Sequence, residues 1–162
     1  MSTSRVPEAL EQLPATIRAS PALAALNADA DIEQHVAVID GDTAEDDTTD
    51  AIYTAYDADP ESKGEVVTSR FAWAGVGNKA RDEVIDIVGA VVATNGEGDV
   101  VAARARAYQL LAIVDEAVRA DPSLGMGAPR PTRAELTEHR LIPLGDEMWI
   151  RFTVSVTTRS TV

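Results

Sequence analysis

Two segments in the second half of the chain constrain its fold more than anything else in the sequence. Residues 99–121 carry apolar side chains at helical spacing, and residues 148–158 alternate strictly between apolar and polar. In the first, Ala103, Ala107, Leu110, Leu111, Val114 and Val118 line one face, while Arg104, Asp115 and Arg119 lie off it. Asp99 follows the turn Asn95-Gly96-Glu97-Gly98 and is placed to cap the first free backbone N–H groups. Asp121-Pro122 ends the helix, because a residue before proline avoids the α region. Asp115 and Arg119, one turn apart, are spaced to pair. In the second segment Ile150, Phe152, Val154 and Val156 point one way and Arg151, Thr153, Ser155 and Thr157 the other. A helix that starts on alanines and a half-buried strand fit a helix lying close on a sheet.

The remaining elements follow from patterning. Val6, Leu10, Leu13 and Ile17 make an amphipathic first helix, with Pro7 at its start. Pro14 sits off the apolar face and predicts a kink or a fresh helix start there. Ser20-Pro21 reads as the cap and first position of a short helical turn through Leu26. Strands are expected over 35–39, 51–56, 65–74, 81–94, 132–142 and from Asp146 onward. The fourth is apolar on both faces, with Ile85, Ile87 and Val91 against Val84, Val88 and Val92, so it belongs at the centre of the sheet. Gly89 inside it predicts a bulge or a close approach. Gly75-Val76-Gly77-Asn78 reads as a hairpin turn and 125–131 as a loop. The expected fold class is α+β: a mainly antiparallel sheet with one long helix packed on a face and a short N-terminal helix, in a single domain over 1–162.

Charge is the second constraint. The 162 residues carry a formal net charge of −13, which argues against a general affinity for nucleic acid or anionic membrane. Residues 19–62 hold twelve acids and no Lys or Arg. Their densest run, 40–50, contains Asp40, Asp42, Glu45, Asp46, Asp47 and Asp50. The plain interpretation is a solvated loop. An EF-hand starting at Asp40 would need an oxygen ligand at Ala44, glycine at Glu45 and glutamate at Ala51, and all three fail; a looser divalent site stays open. No cysteine is present, so disulfide and thiol chemistry are excluded. Met1 to Arg5 open no apolar leader core, and no apolar run reaches membrane-spanning length.

No motif for catalysis or for a cofactor emerges. Gly75-Val76-Gly77 lacks the third glycine of a dinucleotide fingerprint and lies between strands. Gly96-Glu97-Gly98-Asp99 precedes a helix, but its acids repel phosphate and no lysine follows. The two histidines, His35 and His139, are far apart, and a metal site would need both to converge with carboxylates. Trp73 and Trp149 read as core or interface anchors, since no basic groove accompanies them. Arg104 and Arg106 cannot share a helix face; they are either solvated or pair with the acidic loop of a neighbouring subunit. No catalytic, cofactor-binding or metal residue is therefore assigned.

Three stretches resemble a family. The run 102–111 with 118–125 resembles the helix and following loop of small tail-terminator proteins of long-tailed bacteriophages. Residues 150–159 are similar to their last strand, and 70–78 with 82–87 resemble members from actinobacterial phages. The resemblance covers most of 51–162; the acidic 40–50 run has no counterpart in it. It implies a virion protein, assembled in the host cytoplasm, that forms a homo-oligomeric ring of six at the head-proximal end of the tail tube. Such a ring stops tube polymerisation and presents a surface to head-completion or connector proteins, and genomic DNA passes through without specific binding. On that view Arg104, Arg106, Arg119, Trp149, Arg151, Thr153 and Arg159 are interface candidates. Asp40, Asp42, Glu45, Asp46, Asp47 and Asp50 would face the lumen or a rim. Six copies carry a formal charge of six times −13, or −78, so assembly is expected to strengthen with salt or divalent cations. Another neck or head–tail connector, a tail-tube-related subunit, and a small cellular enzyme or ligand-binding domain are the alternatives.

Overall fold

The computed structural model describes residues 4–30, 35–41, 50–73, 80–95, 97–126 and 132–161. The expected turn at Gly75–Asn78 and the acids Asp42, Glu45, Asp46 and Asp47 lie outside these residues. The elements run α1 (Val6–Arg18), α2 (Pro21–Ala28), β1 (Ala37–Asp40), β2 (Ala51–Thr54), β3 (Val67–Trp73), β4 (Ala80–Thr94), α3 (Val100–Ala120), β5 (Thr132–Leu144) and β6 (Glu147–Thr161). The class is α+β, as the patterning predicts: one six-stranded, mostly antiparallel sheet with a long helix and a short N-terminal helix. Among the described residues the one parallel pair is β1 with β2.

β4 organises the sheet. All its residues pair with β6, from Ala80 opposite Thr161 to Thr94 opposite Glu147. Its other edge is shared: β2 pairs with Gly89 to Val92, and β3 with Arg81 to Ile87. β2 and β3 thus lie in one line, and the chain between them leaves the sheet and returns. Val88 marks the gap. Its carbonyl accepts the Tyr56 N–H at 3.1 Å and its N–H donates to the Val66 carbonyl at 2.9 Å. Ala55, with φ of 53°, turns the backbone out of the strand, which is why β2 stops at Thr54 and not at Tyr56.

The core lies between the sheet and the helices. Ile85, Ile87 and Val91 of β4 and Ile150, Phe152, Val154 and Val156 of β6 meet Ala103, Ala107, Leu110, Val114 and Val118 of α3 and Ala9, Leu13 and Ile17 of α1. The Asp99 carboxylate accepts the Val101 and Ala102 N–H groups, each at 3.1 Å, as a cap should. Arg119 reaches Asp115 at 2.7 Å, the expected one-turn pair. Pro14 neither ends nor restarts α1: the helix runs through it with the ring buried. Gly89 is a close approach. A Cβ built there would lie 2.6 Å from the Tyr53 carbonyl oxygen and 2.7 Å from Phe152 Cε2.

One acid stands in the core row. Glu83 is fully buried, and its carboxylate accepts the Ser4 hydroxyl at 2.5 Å and the Arg5 N–H at 2.8 Å. Arg5 also reaches Glu8 at 2.8 Å and donates to Thr158 Oγ1 at 2.8 Å. This knot satisfies free groups at the start of α1 and ties that helix to β4.

Candidate assembly surface

β3, held along the edge of the first half of β4, forms an arm. Val67 is half-buried, and every later residue of β3 is exposed, although side chains alternate between two faces. Burial of neither face means that the strand projects beyond the helical layer. Phe71 is 44% and Trp73 68% exposed, the highest value among the large apolar side chains described. The Arg81 guanidinium lies 4.6 Å from the centroid of the Trp73 ring, close enough for a cation–π contact. Arg70 points to the other face, where it meets Asp86 at 3.3 Å, and Asp86 also accepts the Ser155 hydroxyl in a short bond.

The outer edges of the sheet are managed unequally. At β1, Arg18 of α1 donates to the Val38 carbonyl at 3.0 Å. Asn27 of α2 brackets Val36, donating to its carbonyl at 3.2 Å and accepting its N–H at 2.9 Å. At β5, the Ala134 N–H is taken by the Pro122 carbonyl at 2.7 Å, a bulge falls between Leu136 and Glu138, and Pro143 removes a donor. β3 has no proline and no bulge in its pairing. Among the described residues nothing bonds its outer edge. Exposed, unblunted edges of this kind are templates for pairing with another chain.

On the face opposite the helices, residues 55–66 form a strap. Tyr53 and Tyr56 pack on Trp149, with ring centroids 4.9 to 5.8 Å apart. Two ion pairs pin the strap to the sheet. Arg151 Nε donates to Asp57 at 2.9 Å, and Arg140 pairs closely with Asp59. Burial opposes ionisation of Asp57, but the Asp59 N–H, the Ser62 hydroxyl and Arg151 outweigh it and hold the carboxyl below its usual value. Asp59 is also lowered, first by the Glu61 N–H and then, against slight burial, by Arg140.

The sequence-derived interface residues do not form one surface. Arg104 is exposed on α3. Arg106 is bound within its own chain, to Asp50 at 3.1 Å and to Gln109 at 3.1 Å. Asp50 also accepts the Thr94 N–H at 3.2 Å. Asp40 is exposed at the end of β1. Trp149, Arg151 and Thr153 lie on the sheet face away from α3, with the first two under the strap. Arg159 pairs with Asp82 at 3.2 Å across the arm. His139 lies on β5 and packs edge-on against Tyr108, with 5.8 Å between ring centroids. Among the described residues no group of three His, Asp or Glu is arranged to hold a metal ion. No described helix is long and apolar enough to cross a membrane.

Sequence reading singled out Trp73 but missed the arm around it. Charge gave no signal for it: residues 63–87 hold four bases, Lys63, Arg70, Lys79 and Arg81, and four acids, Glu65, Asp82, Glu83 and Asp86. No protein-family model matches the chain, and comparison with curated proteins finds no match.

Proposed function

We propose that this chain is a structural subunit of a long-tailed phage virion that assembles into a ring of six closing the head-proximal end of the tail tube. The observation that carries the assembly reading is the arm, an unblunted edge strand with Phe71 and Trp73 in solvent. Exposed aromatic side chains on an open edge are a liability in a protein that works alone and an asset in one that assembles. The position on the tail and the number six rest on the family resemblance of residues 51–162. The acidic charge suits a channel for DNA, because without phosphate contacts no counterions are released and the duplex slides. Function here is carried by surfaces, and no catalytic role is assigned to any residue.

The test is negative-stain electron microscopy with light scattering on the purified protein, at low and high salt and with magnesium, followed by addition of purified tail tubes. Sixfold rings with a central hole wide enough for duplex DNA, bound at one end of the tubes, are the expected result. Rings of another number that bind connector proteins and leave tubes uncapped would overturn the terminator assignment in favour of a connector. A monomer under every condition, with tubes present, would overturn the assembly reading itself.

A further inference from the structure

Trp73 and Arg81 form a knob whose charge is left without a partner. Every acid on the adjoining stretch of β4 is engaged inside its own copy. Asp82 pairs with Arg159, Glu83 holds Ser4 and Arg5, and Asp86 takes Arg70 and Ser155. Arg81 stands opposite Trp73 in the ladder and packs its guanidinium on that ring. It makes no ion pair among the described residues, and its Nε is buried without a hydrogen-bond partner. A buried donor in that state is costly, and a carboxylate brought alongside would relieve it. Phe71 lies on the same face of β3, so two exposed rings flank one unpaired cation.

A surface of complementary character lies at the other half of the molecule. α2 and α3 leave a groove of about 460 Å³ between them, lined by Ala22, Ala25, Leu26, Ala112 and Ile113, with the exposed Glu116 on its wall. Its small side chains leave room for an aromatic ring. Glu116 makes no ion pair among the described residues. Both walls are anchored far from the knob. Asn27 of α2 brackets Val36, next to Ala37, which pairs through Ala51 with Val92. Arg106 of α3 binds Gln109 and Asp50, and Asp50 binds the Thr94 N–H. Arg81 and Val92 are eleven residues apart on β4, about 36 Å at 3.3 Å per residue, so the knob cannot enter the groove of its own copy.

We propose that the Phe71–Trp73 knob of one copy seats in the α2–α3 groove of a second copy, with Arg81 meeting Glu116 across the contact. The proposal rests on the assembly reading above and adds the two surfaces that meet. The rings supply the apolar burial, and the ion pair fixes their orientation. Like charges select this arrangement over its rivals. Knob against knob would bring two unpaired Arg81 side chains together, and groove against groove two unpaired Glu116 side chains. A contact joining two different surfaces generates rings when its rotation closes and filaments when it does not.

The test uses full-length variants. Trp73→Ser removes the knob. Ala112→Arg fills the groove with a long side chain one turn from Glu116, where it can also claim that carboxylate. Both positions are exposed, and circular dichroism and thermal melts establish that the variants fold. Light scattering and analytical ultracentrifugation are run on each variant alone and on an equimolar mixture. Each variant alone is expected to self-associate roughly tenfold or more weakly than wild type. The mixture is expected to give a 1:1 heterodimer, because it retains one intact knob and one intact groove. Undiminished association of either variant alone overturns the proposal, as does a mixture that stays monomeric. Charge reversal tests the orientation: Arg81→Glu and Glu116→Arg are each expected to weaken association, and the double variant to recover it. A double variant no better than either single one overturns the pairing of Arg81 with Glu116. The two readings fail separately. Wild-type rings that survive Trp73→Ser refute the docking and leave the ring. A heterodimer from the mixture together with wild-type filaments or closed dimers refutes the ring and leaves the docking. A wild-type protein that is monomeric at every concentration and salt refutes both.

Discussion

Gly89 is the position where a single methylene has the clearest cost. A Cβ there would stand 2.6 Å from the Tyr53 carbonyl oxygen, a backbone atom that cannot swing aside, and 2.7 Å from the Phe152 ring. Gly89→Ala is expected to destabilise the protein by roughly 1–3 kcal/mol, the range for overpacking a tight core. Urea denaturation of the two proteins measures it. The glycine could be read from sequence because it interrupts an apolar central strand. Glu83 could not: period-2 alternation puts it in one row with Ile85 and Ile87, but only the tertiary placement of Ser4 and Arg5 shows how a carboxylate is accommodated there. Asp57 gives a pH signature. Its folded-state carboxyl titrates below the ordinary 3.8, so its pairing contributes full stability above that value and loses it as pH falls through the lower, folded-state value. Asp57→Asn is therefore expected to cost roughly 1.5–3 kcal/mol at pH 7, the scale of hydrogen bonds to charged groups. The gap between the variant and the wild type should narrow as pH drops below 3.8, and urea midpoints at pH 7 and pH 3 report it.

Local pattern fixed the individual elements well and their partners less well. α3 runs from Val100 to Ala120 with Asp99 as its cap, and β4 occupies the centre, both as periodicity and composition require. Asp99→Ala is expected to destabilise by about 1 kcal/mol, the usual cost of losing a side-chain cap, readable as a small downward shift of the thermal midpoint. The parallel pairing of β1 with β2 was not legible, because strand order depends on contacts far apart in sequence and leaves no periodic trace. The strap was half legible. Asp57-Ala58-Asp59-Pro60 announces a turn, but it does not reveal that β2 and β3 share one edge of β4 with the turn laid over the opposite sheet face. Arg151 and Arg140, which hold it there, lie more than eighty residues away in the chain.

At the scale of the whole molecule, charge opposes assembly. Copies of net charge −13 repel one another at long range. Salt screens that repulsion, since the Debye length falls to ~8 Å at 0.15 M and ~3 Å at 1 M salt. Self-association is therefore expected to rise with salt, measurable by sedimentation across a salt series. A curve that falls with salt would assign the contact to ion pairs and not to apolar burial by Phe71 and Trp73. The candidate surface was the least legible feature. Alternation in β3 predicts one buried face, and the strand is exposed on both because it lies beyond the helical layer, which ends its cover on Glu83, Ile85 and Ile87 of the neighbouring β4.

The unbroken pairing of β4 with β6 also has a mechanical consequence. A tug on the arm along the strand direction loads the whole ladder in shear, so all fifteen residue pairs from Ala80–Thr161 to Thr94–Glu147 share the strain together. A pull at right angles would instead open the ladder one pair at a time. β3, joined to β4 by seven residue pairs, is the weaker attachment under either load. A subunit gripped by its arm therefore resists tension along one axis far better than across it, which favours anchoring by a tip in a structure that must stay joined while under strain.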